Sequence, residues 1–203
     1  DQAAMLREFV KWDYELRNAV QLESVVDRAF EMMLTEPRGP VYLTLPREVL
    51  AQRLESITIS SPARRQARSD RLPDPKRIDE AGRLLAAARF PLIITTAAGR
   101  DARAVPALTA LAEAGGIGVL ESSPTDLNFP QRHPLHLGFV PAAGVDEALG
   151  EADVILVVDS DVPWFPSIQK PADDATIIHL GIDPFCSRYP MRSYPCDVPI
   201  VAE

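Results

Sequence analysis

The chain has 203 residues, of which 46% are hydrophobic, and this length suits one domain of ordinary size with part of another. Its formal net charge of −8 argues against a nucleic-acid partner or an anionic membrane surface, because both bind through clustered Lys and Arg. No apolar run reaches the roughly 18 residues of a membrane helix and no signal-peptide pattern opens the chain, so we expect a cytoplasmic protein. Cys186 and Cys196 are too few for a disulfide framework, so we expect reduced thiols.

The first predicted elements are a helix and a short strand. Apolar residues recur at helical spacing at Leu22, Val26, Ala29, Phe30 and Met33. The turn Gly39-Pro40 then opens an apolar strand over 41–45, and Pro46 ends it because proline cannot donate to a sheet. The partner strands of this half α/β unit are missing, and there is no initiating Met. We therefore expect an internal piece of a longer protein, with residues 1–50 as the remnant of one domain.

A linker is predicted at residues 51–75. Apolar periodicity is lost there and Arg, Ser and Pro become frequent, which is typical of an extended interdomain connection. Its arginine-rich stretch, residues 64–71, contains no aromatic residue, so we interpret it as a solvated linker. A second domain should begin near Pro75 and occupy residues 76–203.

Helices and strands alternate through this second domain. The predicted helices lie around residues 78–88, 105–114 and 145–149. The predicted strands are 91–95, 117–120, 153–158 and 176–180, the last of the chain. Strands that are apolar along their whole length are typical of a parallel sheet covered on both faces. The predicted fold class is therefore α/β, with a Rossmann-like, doubly wound parallel sheet.

Glycine-rich positions in this domain could signal a phosphate site. The run Gly115, Gly116 and Gly118 follows a helix and precedes a strand, so we interpret it as a helix C-cap and turn. The stronger candidate is the loop after the first strand of the sheet, because ligands of parallel sheets bind at the carboxyl ends of the strands.

The candidates in that loop are small, hydroxyl-bearing or cationic, namely Thr95, Thr96, Gly99 and Arg100. As a nucleotide-binding signal the loop is weak, since it has one glycine where the dinucleotide fingerprint has three. Asp101 is a predicted N-cap for the next helix, and its charge would oppose a phosphate.

Carboxylates follow the two later strands. Asp159, Ser160 and Asp161 come after the third strand of the sheet, and Asp183 follows the fourth. They could bind a ribose or act as a carboxylate pair, or they could cap the segments that follow. Both interpretations stay open for Asp183, whereas capping is favoured for Asp159 and Asp161.

Catalytic and metal-binding patterns are weak in this chain. It contains no GxSxG or HExxH motif, and no Cys stands beside a His in an activating context. His133 and His136 lie in a loop-like segment that offers no further ligands, so we expect no metal site there. We predict no catalytic residue within the chain.

Five segments occur in the order and spacing of a known enzyme family. They are RAFEMMLTEPRGPVYLTLPREVL at 28–50, LLAAARFPLII at 84–94, HPLHLGF at 133–139, EADVILVVDSDVPW at 151–164 and IIHLGIDP at 177–184. Through them the chain resembles, over nearly all of its length, the acetolactate synthase and benzoylformate decarboxylase group of thiamine diphosphate enzymes. The first segment resembles the end of the family's pyrimidine-binding domain, and the second resembles the entry into its central domain.

The resemblance implies a longer enzyme with three α/β domains that binds thiamine diphosphate and Mg²⁺. The activating glutamate belongs to the first domain and the Gly-Asp-Gly motif to the third, and neither is in this sequence. The chain alone, as a central and non-catalytic domain, should therefore be inactive. The longer protein should be a homo-oligomer that decarboxylates or joins 2-oxo acids such as pyruvate.

In acetolactate synthases the central domain holds FAD in a non-redox role, and in some relatives it holds ADP. The corresponding positions here are 95–99, 138–141 and 159–163, where larger side chains and two carboxylates replace glycine and arginine. We therefore expect a degenerate FAD site, to which the resemblance adds Gly138 as a candidate beside the residues named above. The alternative is a freestanding module that binds FAD, ADP or NAD at the same edge.

Overall fold

The computed structural model describes residues 2–59, 71–141, 144–187, 189, 191 and 194–202. The chain divides into two compact units, residues 1–69 and residues 70–203. Of the predicted arginine-rich linker 64–71, all but Arg71 lies outside the described residues. Within the described ranges, no helix is both long enough and apolar enough to cross a membrane.

The first unit contains a two-stranded parallel sheet and two helices. Strand β1 (Trp12–Glu15) pairs with β2 (Val41–Thr44) along its whole length. Helix α1 (Leu22–Leu34) connects the two strands, as parallel pairing requires, and α2 (Arg47–Leu50) follows β2. Short 3₁₀ turns occupy Gln2–Met5, Arg7–Phe9 and Ala19–Gln21.

Strand β1 corrects the prediction that the strand at 41–45 has no partner in the chain. Its sequence, WDYE, alternates aromatic and acidic residues, and all four are half-buried. The rings of Trp12 and Tyr14 stack with their centroids 5.7 Å apart. A strand held by aromatic packing on one face has no continuous apolar run, and a search for such runs misses it.

The core of the first unit is small and consists of Leu16, Ala19, Val25 and Val49. Helix α1 buries Val25 and Ala29, whereas the predicted apolar stripe is wrong at Phe30, which is 54% exposed. The described sheet that packs against the helix has only two strands and covers a narrow part of the helix surface. Apolar side chains of the helix outside that part, such as Phe30, remain exposed to solvent.

The second unit is a six-stranded parallel sheet in the order β5-β4-β3-β6-β7-β8. Its strands are β3 (Pro91–Thr95), β4 (Gly118–Glu121), β5 (His136–Phe139), β6 (Val154–Val158), β7 (Thr176–Gly181) and β8 (Val198–Val201). Its helices are α3 (Pro75–Ala87), α4 (Ala104–Gly115) and α5 (Glu147–Glu151), with a 3₁₀ turn at Ala98–Arg100. The chain moves outward from β3 through β4 and β5, then starts again on the other side of β3 with β6. This reversal confirms the predicted doubly wound fold.

Two strands of this sheet were not predicted from the sequence. The sequence predicts a loop at 133–139, but this segment contains β5. It also predicts that the strand at 176–180 is the last, but β8 follows it. Gly138 in β5 has φ of 104°, and the β4–β5 register shifts between Val119 and Leu120. Strand β8 contains Pro199, which this strand tolerates because it is the last in the order of the described sheet.

Helices cover both faces of the sheet. On one face α3 and α4 bury a layer that includes Ala81, Ile93, Leu108, Ala112, Val119, Leu156 and Ile178. On the other face α5 and the segment around Trp164 cover Leu92, Ile94, Leu120, Ile155 and Ile177. Successive strand residues alternate between the two layers, and this explains why β3 and β6 are apolar throughout.

The helix ends follow local capping chemistry. Pro75 is the first residue of α3, and Asp74 accepts a hydrogen bond from the Lys76 amide at 3.0 Å. Gly116, with φ of 61°, ends α4 and confirms the predicted C-cap. Helix α5 begins at Glu147 rather than at the predicted residue 145, because Asp146 caps it by accepting from the Leu149 amide at 3.1 Å.

Candidate functional site

The carboxyl ends of four neighbouring strands lie along one edge of the six-stranded sheet. Thr95 of β3 is opposite Glu121 of β4 and Val158 of β6, and Val158 is opposite Leu180 of β7. The predicted site residues that follow these strands therefore lie along the same edge, where the strand order reverses. Gly138 is set apart from them, because it lies within the outer strand β5.

Hydroxyl groups join the ends of β3, β4 and β6. The Thr96 hydroxyl donates to the Ser122 carbonyl at 2.6 Å and lies 2.6 Å from the Ser160 hydroxyl. Since the single Thr96 proton is directed at Ser122, the Ser160 hydroxyl is the donor of the second bond. The Ser122 hydroxyl in turn donates to the Val162 carbonyl. These hydroxyls hold strand ends together, and each donates its proton to a protein group.

Three non-glycine residues at this edge have a left-handed backbone. They are Ser123 after β4, Asp159 after β6 and Cys186 after β7, with φ of 43°, 44° and 51°. Each costs roughly 1 kcal/mol relative to an ordinary conformation.

Gly99 is packed against backbone rather than facing an open crevice. Its amide donates to Asn128 Oδ1 at 2.9 Å. A Cβ atom added at Gly99 would lie 2.1 Å from the Leu127 carbonyl oxygen, far closer than any contact allows. The space beside the Gly99 Cα atom is therefore occupied by the backbone of Leu127 in the same chain.

A buried polar network lies beneath this loop, and sequence reasoning missed it. Glu121, which is 2% exposed, accepts a hydrogen bond from the side-chain Nδ2 of Asn128 at 2.9 Å. Its other carboxylate oxygen lies 3.0 Å from His136 Nε2. Asn128 also donates to the Thr96 carbonyl at 2.9 Å. One signal was present in the sequence, since Glu121 is a carboxylate that ends an otherwise apolar strand.

The two arginines near the β3 loop each have a carboxylate partner. Arg100 Nη2 lies 3.7 Å from Asp159 Oδ1, and Arg103 Nη2 lies 2.6 Å from Asp101 Oδ2. Asp101 makes the bonds predicted for an N-cap one turn before α4, which begins at Ala104. Its backbone is extended, its carboxylate accepts from the Arg103 amide at 2.9 Å, and its carbonyl accepts from the Ala104 amide at 2.9 Å.

The carboxylates after β6 and β7 make local contacts. Asp159 packs against Gly181, where an added Cβ would lie 2.8 Å from its Oδ1 atom. The Asp183 carboxylate accepts from the Ser187 hydroxyl at 2.9 Å, and the Asp183 carbonyl accepts from the Cys186 amide at 3.1 Å. Asp183 thus makes bonds of the capping kind within its own turn.

A cavity of about 260 Å³ lies beside the start of β7, and no predicted site residue lines it. Its walls include Trp164, Ile177, Tyr194 and Pro195. The Trp164 and Tyr194 rings meet edge to face at 5.2 Å, and the Tyr194 hydroxyl donates to the Trp164 carbonyl at 3.2 Å. These contacts fix the walls of the cavity.

Metal-ligating side chains are dispersed in the described part of the chain, where no group of three His, Cys, Asp or Glu could hold an ion. The two histidines that were considered as ligands each have a carboxylate partner. His133 Nε2 lies 3.2 Å from Glu113 Oε1, and His136 bonds to Glu121 as described above.

Comparison with known proteins identifies the family. A family model described as "Thiamine pyrophosphate enzyme, central domain" matches residues 78–203. The sulfoacetaldehyde acetyltransferase of Rhodobacter capsulatus is 27% identical over 197 residues, which cover 91% of this chain and 32% of the relative. The acetolactate synthase large subunit of Corynebacterium glutamicum is 28% identical over 182 residues, which cover 86% of this chain and 29% of the relative. The chain therefore spans about 30% of the length of these curated relatives.

A solved structure has the same fold. The crystal structure of benzoylformate decarboxylase from Polynucleobacter necessarius matches with a TM-score of 0.73 at 22% identity. The match covers 95% of this chain and 36% of that chain. Together with the family match, it confirms the expectation drawn from the five sequence segments. The chain belongs to the thiamine pyrophosphate enzymes of the acetolactate synthase and benzoylformate decarboxylase group, and residues 78–203 are a central domain of that family.

Proposed function

We propose that this chain is the central, non-catalytic part of a longer thiamine diphosphate-dependent enzyme that decarboxylates or joins 2-oxo acids. Residues 1–50 are then the remnant of a pyrimidine-binding domain, 51–75 the interdomain linker and 76–203 the central domain. Two findings support the proposal: the family to which the chain belongs, and the 29% to 32% of its relatives' length that it spans.

The non-catalytic role rests on the hydrogen bonding at the carboxyl edge of the sheet. A general acid or base must reach the reacting group within hydrogen-bond distance. Glu121 at this edge and His136 at the start of β5 have side chains only 3% and 7% exposed, and they are bonded to each other. Asp159 and Asp183, which follow β6 and β7, are bound to Arg100 and Ser187. Glu121 and His136 are thus buried structural groups, and the carboxylates that follow β6 and β7 are held by neighbouring protein groups.

The longer protein supplies thiamine diphosphate and Mg²⁺ chemistry through residues outside this chain. We further propose that it is a cytoplasmic homo-oligomer. Large apolar side chains of the first unit support an interface role, because Met5, Phe9 and Phe30 are 79%, 76% and 54% exposed. Apolar surface of this kind is normally covered by other protein.

A freestanding nucleotide-binding module is the less favoured alternative. The fold alone would allow it, since doubly wound sheets bind nucleotides where the strand order reverses. The amide of Gly99 and the hydroxyls of Thr96 and Ser160, which would serve such a ligand, already have protein partners.

Calorimetry with thiamine diphosphate and Mg²⁺ tests the proposal. The full-length protein should bind the cofactor saturably, and the 203-residue chain should give no binding heat under the same conditions. Saturable binding by the chain alone contradicts the domain assignment. No binding by the full-length protein contradicts the enzyme class itself.

A further inference from the structure

We propose that the β3 loop, residues 95–100, is a closed structural loop pinned by Asn128, and that it cannot hold the diphosphate of FAD or ADP. The flavin or adenine nucleotide implied by the resemblance therefore does not fit the residues present. Hydrogen bonding, space and charge lead to this conclusion independently.

Most backbone donors of the β3 loop, those of residues 97–100, are used within the protein. A loop that binds a diphosphate presents free amide groups to it after the strand. Here four consecutive amides have acceptors. Ala97 donates to the Asp159 carbonyl at 3.1 Å, Ala98 to the Thr95 hydroxyl at 3.4 Å, Gly99 to Asn128 Oδ1 at 2.9 Å and Arg100 to the Ala97 carbonyl at 3.1 Å.

The space beside the loop glycine is also filled. In a dinucleotide fold the missing side chain of glycine lets the pyrophosphate approach the backbone. At Gly99 the Leu127 carbonyl oxygen occupies that position, 2.1 Å from where a Cβ atom would be. A carbonyl oxygen is an acceptor and carries partial negative charge, so it cannot bond a phosphate oxygen and repels it.

Asn128 holds the loop in this closed position. Its side chain is fully buried and makes one bond through Oδ1, from the Gly99 amide, and two through Nδ2, to the Thr96 carbonyl and to Glu121. The opposite amide orientation would place NH₂ against the Gly99 amide and oxygen against two acceptors, so these bonds determine the orientation. Asn128 is thus a positioning residue that ties the loop to β4.

The charges at this edge also disfavour a diphosphate. Arg100, the one cation among the candidate residues, lies 3.7 Å from Asp159 Oδ1. A nucleotide diphosphate would have to compete with that carboxylate for Arg100 and would lie close to its charge.

Hydrogen exchange of the Gly99 amide, measured by NMR on the 203-residue chain, tests the proposal. Without nucleotide the amide should be protected, because its partner is Asn128. Asn128→Ala should accelerate its exchange by at least about tenfold. Asn18→Ala is the matched control, since Asn18 Oδ1 also accepts a backbone amide, that of Val20 at 3.0 Å, and it should leave Gly99 unchanged.

The wild-type chain tests the proposal even if Asn128→Ala fails to fold. Addition of ADP or FAD to about 1 mM should leave the amide signals of residues 97–100 in place, as closed loops without free donors do not bind phosphate. An unprotected Gly99 amide, or saturable shifts of these signals, overturns the proposal. Neither readout needs turnover, so its failure is distinguishable from failure of the proposed lyase function.

Discussion

Glu121 and His136 form a buried hydrogen-bonded pair, with Oε1 and Nε2 3.0 Å apart and side chains 3% and 7% exposed. The pair joins the end of β4 to the start of the outer strand β5. Asn128 donates to the second carboxylate oxygen at 2.9 Å, so both oxygens of Glu121 have donors. Such a pair is costly to break from one side, because the remaining partner is left buried without a hydrogen bond.

We expect Glu121→Ala to lower the free energy of unfolding by about 3 kcal/mol, since it leaves the His136 and Asn128 donors unpaired in the core. Urea unfolding followed by circular dichroism measures the loss. The chain offers a matched control in Glu113, which lies 3.2 Å from His133 with a side chain 60% exposed. Glu113→Ala should cost less than about 1 kcal/mol. Equal losses for the two variants would show that the buried pair has no special role.

Gly99→Ala should destabilise the second unit by about 2 kcal/mol or more, because the added methyl group collides with the Leu127 carbonyl. Gly82 provides the comparison. It lies within α3, and an added Cβ there meets nothing within 4 Å. Gly82→Ala should raise stability by roughly 0.5 to 1 kcal/mol through helix propensity. Thermal unfolding of both variants tests whether the first lowers stability and the second raises it. A Gly99→Ala variant as stable as the wild type contradicts the closed loop.

The stability of the domain should fall in mild acid because of His179. This side chain of β7 is 3% exposed, its Nε2 atom has no partner, and burial lowers its pKa from 6.5 to about 4. A hydrogen bond to the Pro195 carbonyl raises the pKa and only partly offsets the burial. Between these two values the unfolded chain binds a proton that the folded chain excludes. The contribution of His179 is therefore complete above pH 6.5 and falls as pH drops towards 4.

The loss reaches about 3 kcal/mol at the acid end of that window. His179→Leu removes the titrating group, so unfolding free energies measured from pH 7 to pH 4 should decline less steeply in the variant. The difference in slope should correspond to about one proton. If wild type and variant have parallel pH profiles, His179 is not buried as the uncharged imidazole.

Asp153 should titrate below its ordinary range. Its carboxylate accepts from the backbone amides of Arg89 and Phe90, each at 2.9 Å, and these donors lower its pKa below 3.8. Because the folded pKa is depressed, the contribution of Asp153 is present above pH 3.8 and is lost as pH falls through the folded value. Carboxyl chemical shifts followed by NMR give the midpoint. A midpoint at or above 3.8 argues that the two amide bonds do not form.

Much of the central domain could be predicted because its inner strands are buried on both faces. Strand β3 has the predicted bounds, 91–95, since all but its first residue are buried and apolar residues dominate it. The strands that escaped prediction are short and interrupted by polar residues, glycine or proline, as in β1, β5 and β8. Their pairing depends on neighbours that are distant in sequence.

The edge that carries the candidate residues was also predictable, because parallel topology places strand ends together. The partners of those residues were not. Gly99 bonds to Asn128 and Glu121 bonds to His136, at sequence separations of 29 and 15 residues. Asn128 belongs to a segment without periodicity. Its structural role depends on its burial by tertiary packing, which the sequence alone does not indicate. A glycine that fits close packing and a glycine that fits a phosphate look alike in one sequence.

The most direct test of the account is the rate of 2-oxo-acid consumption by the full-length protein with thiamine diphosphate and Mg²⁺. The rate is measured on pyruvate and related acids, with and without FAD, beside the 203-residue chain. We expect turnover by the full-length protein alone, at a rate that FAD does not change. Turnover by the chain itself, or a rate that depends on FAD, contradicts a central domain that is neither catalytic nor nucleotide-binding.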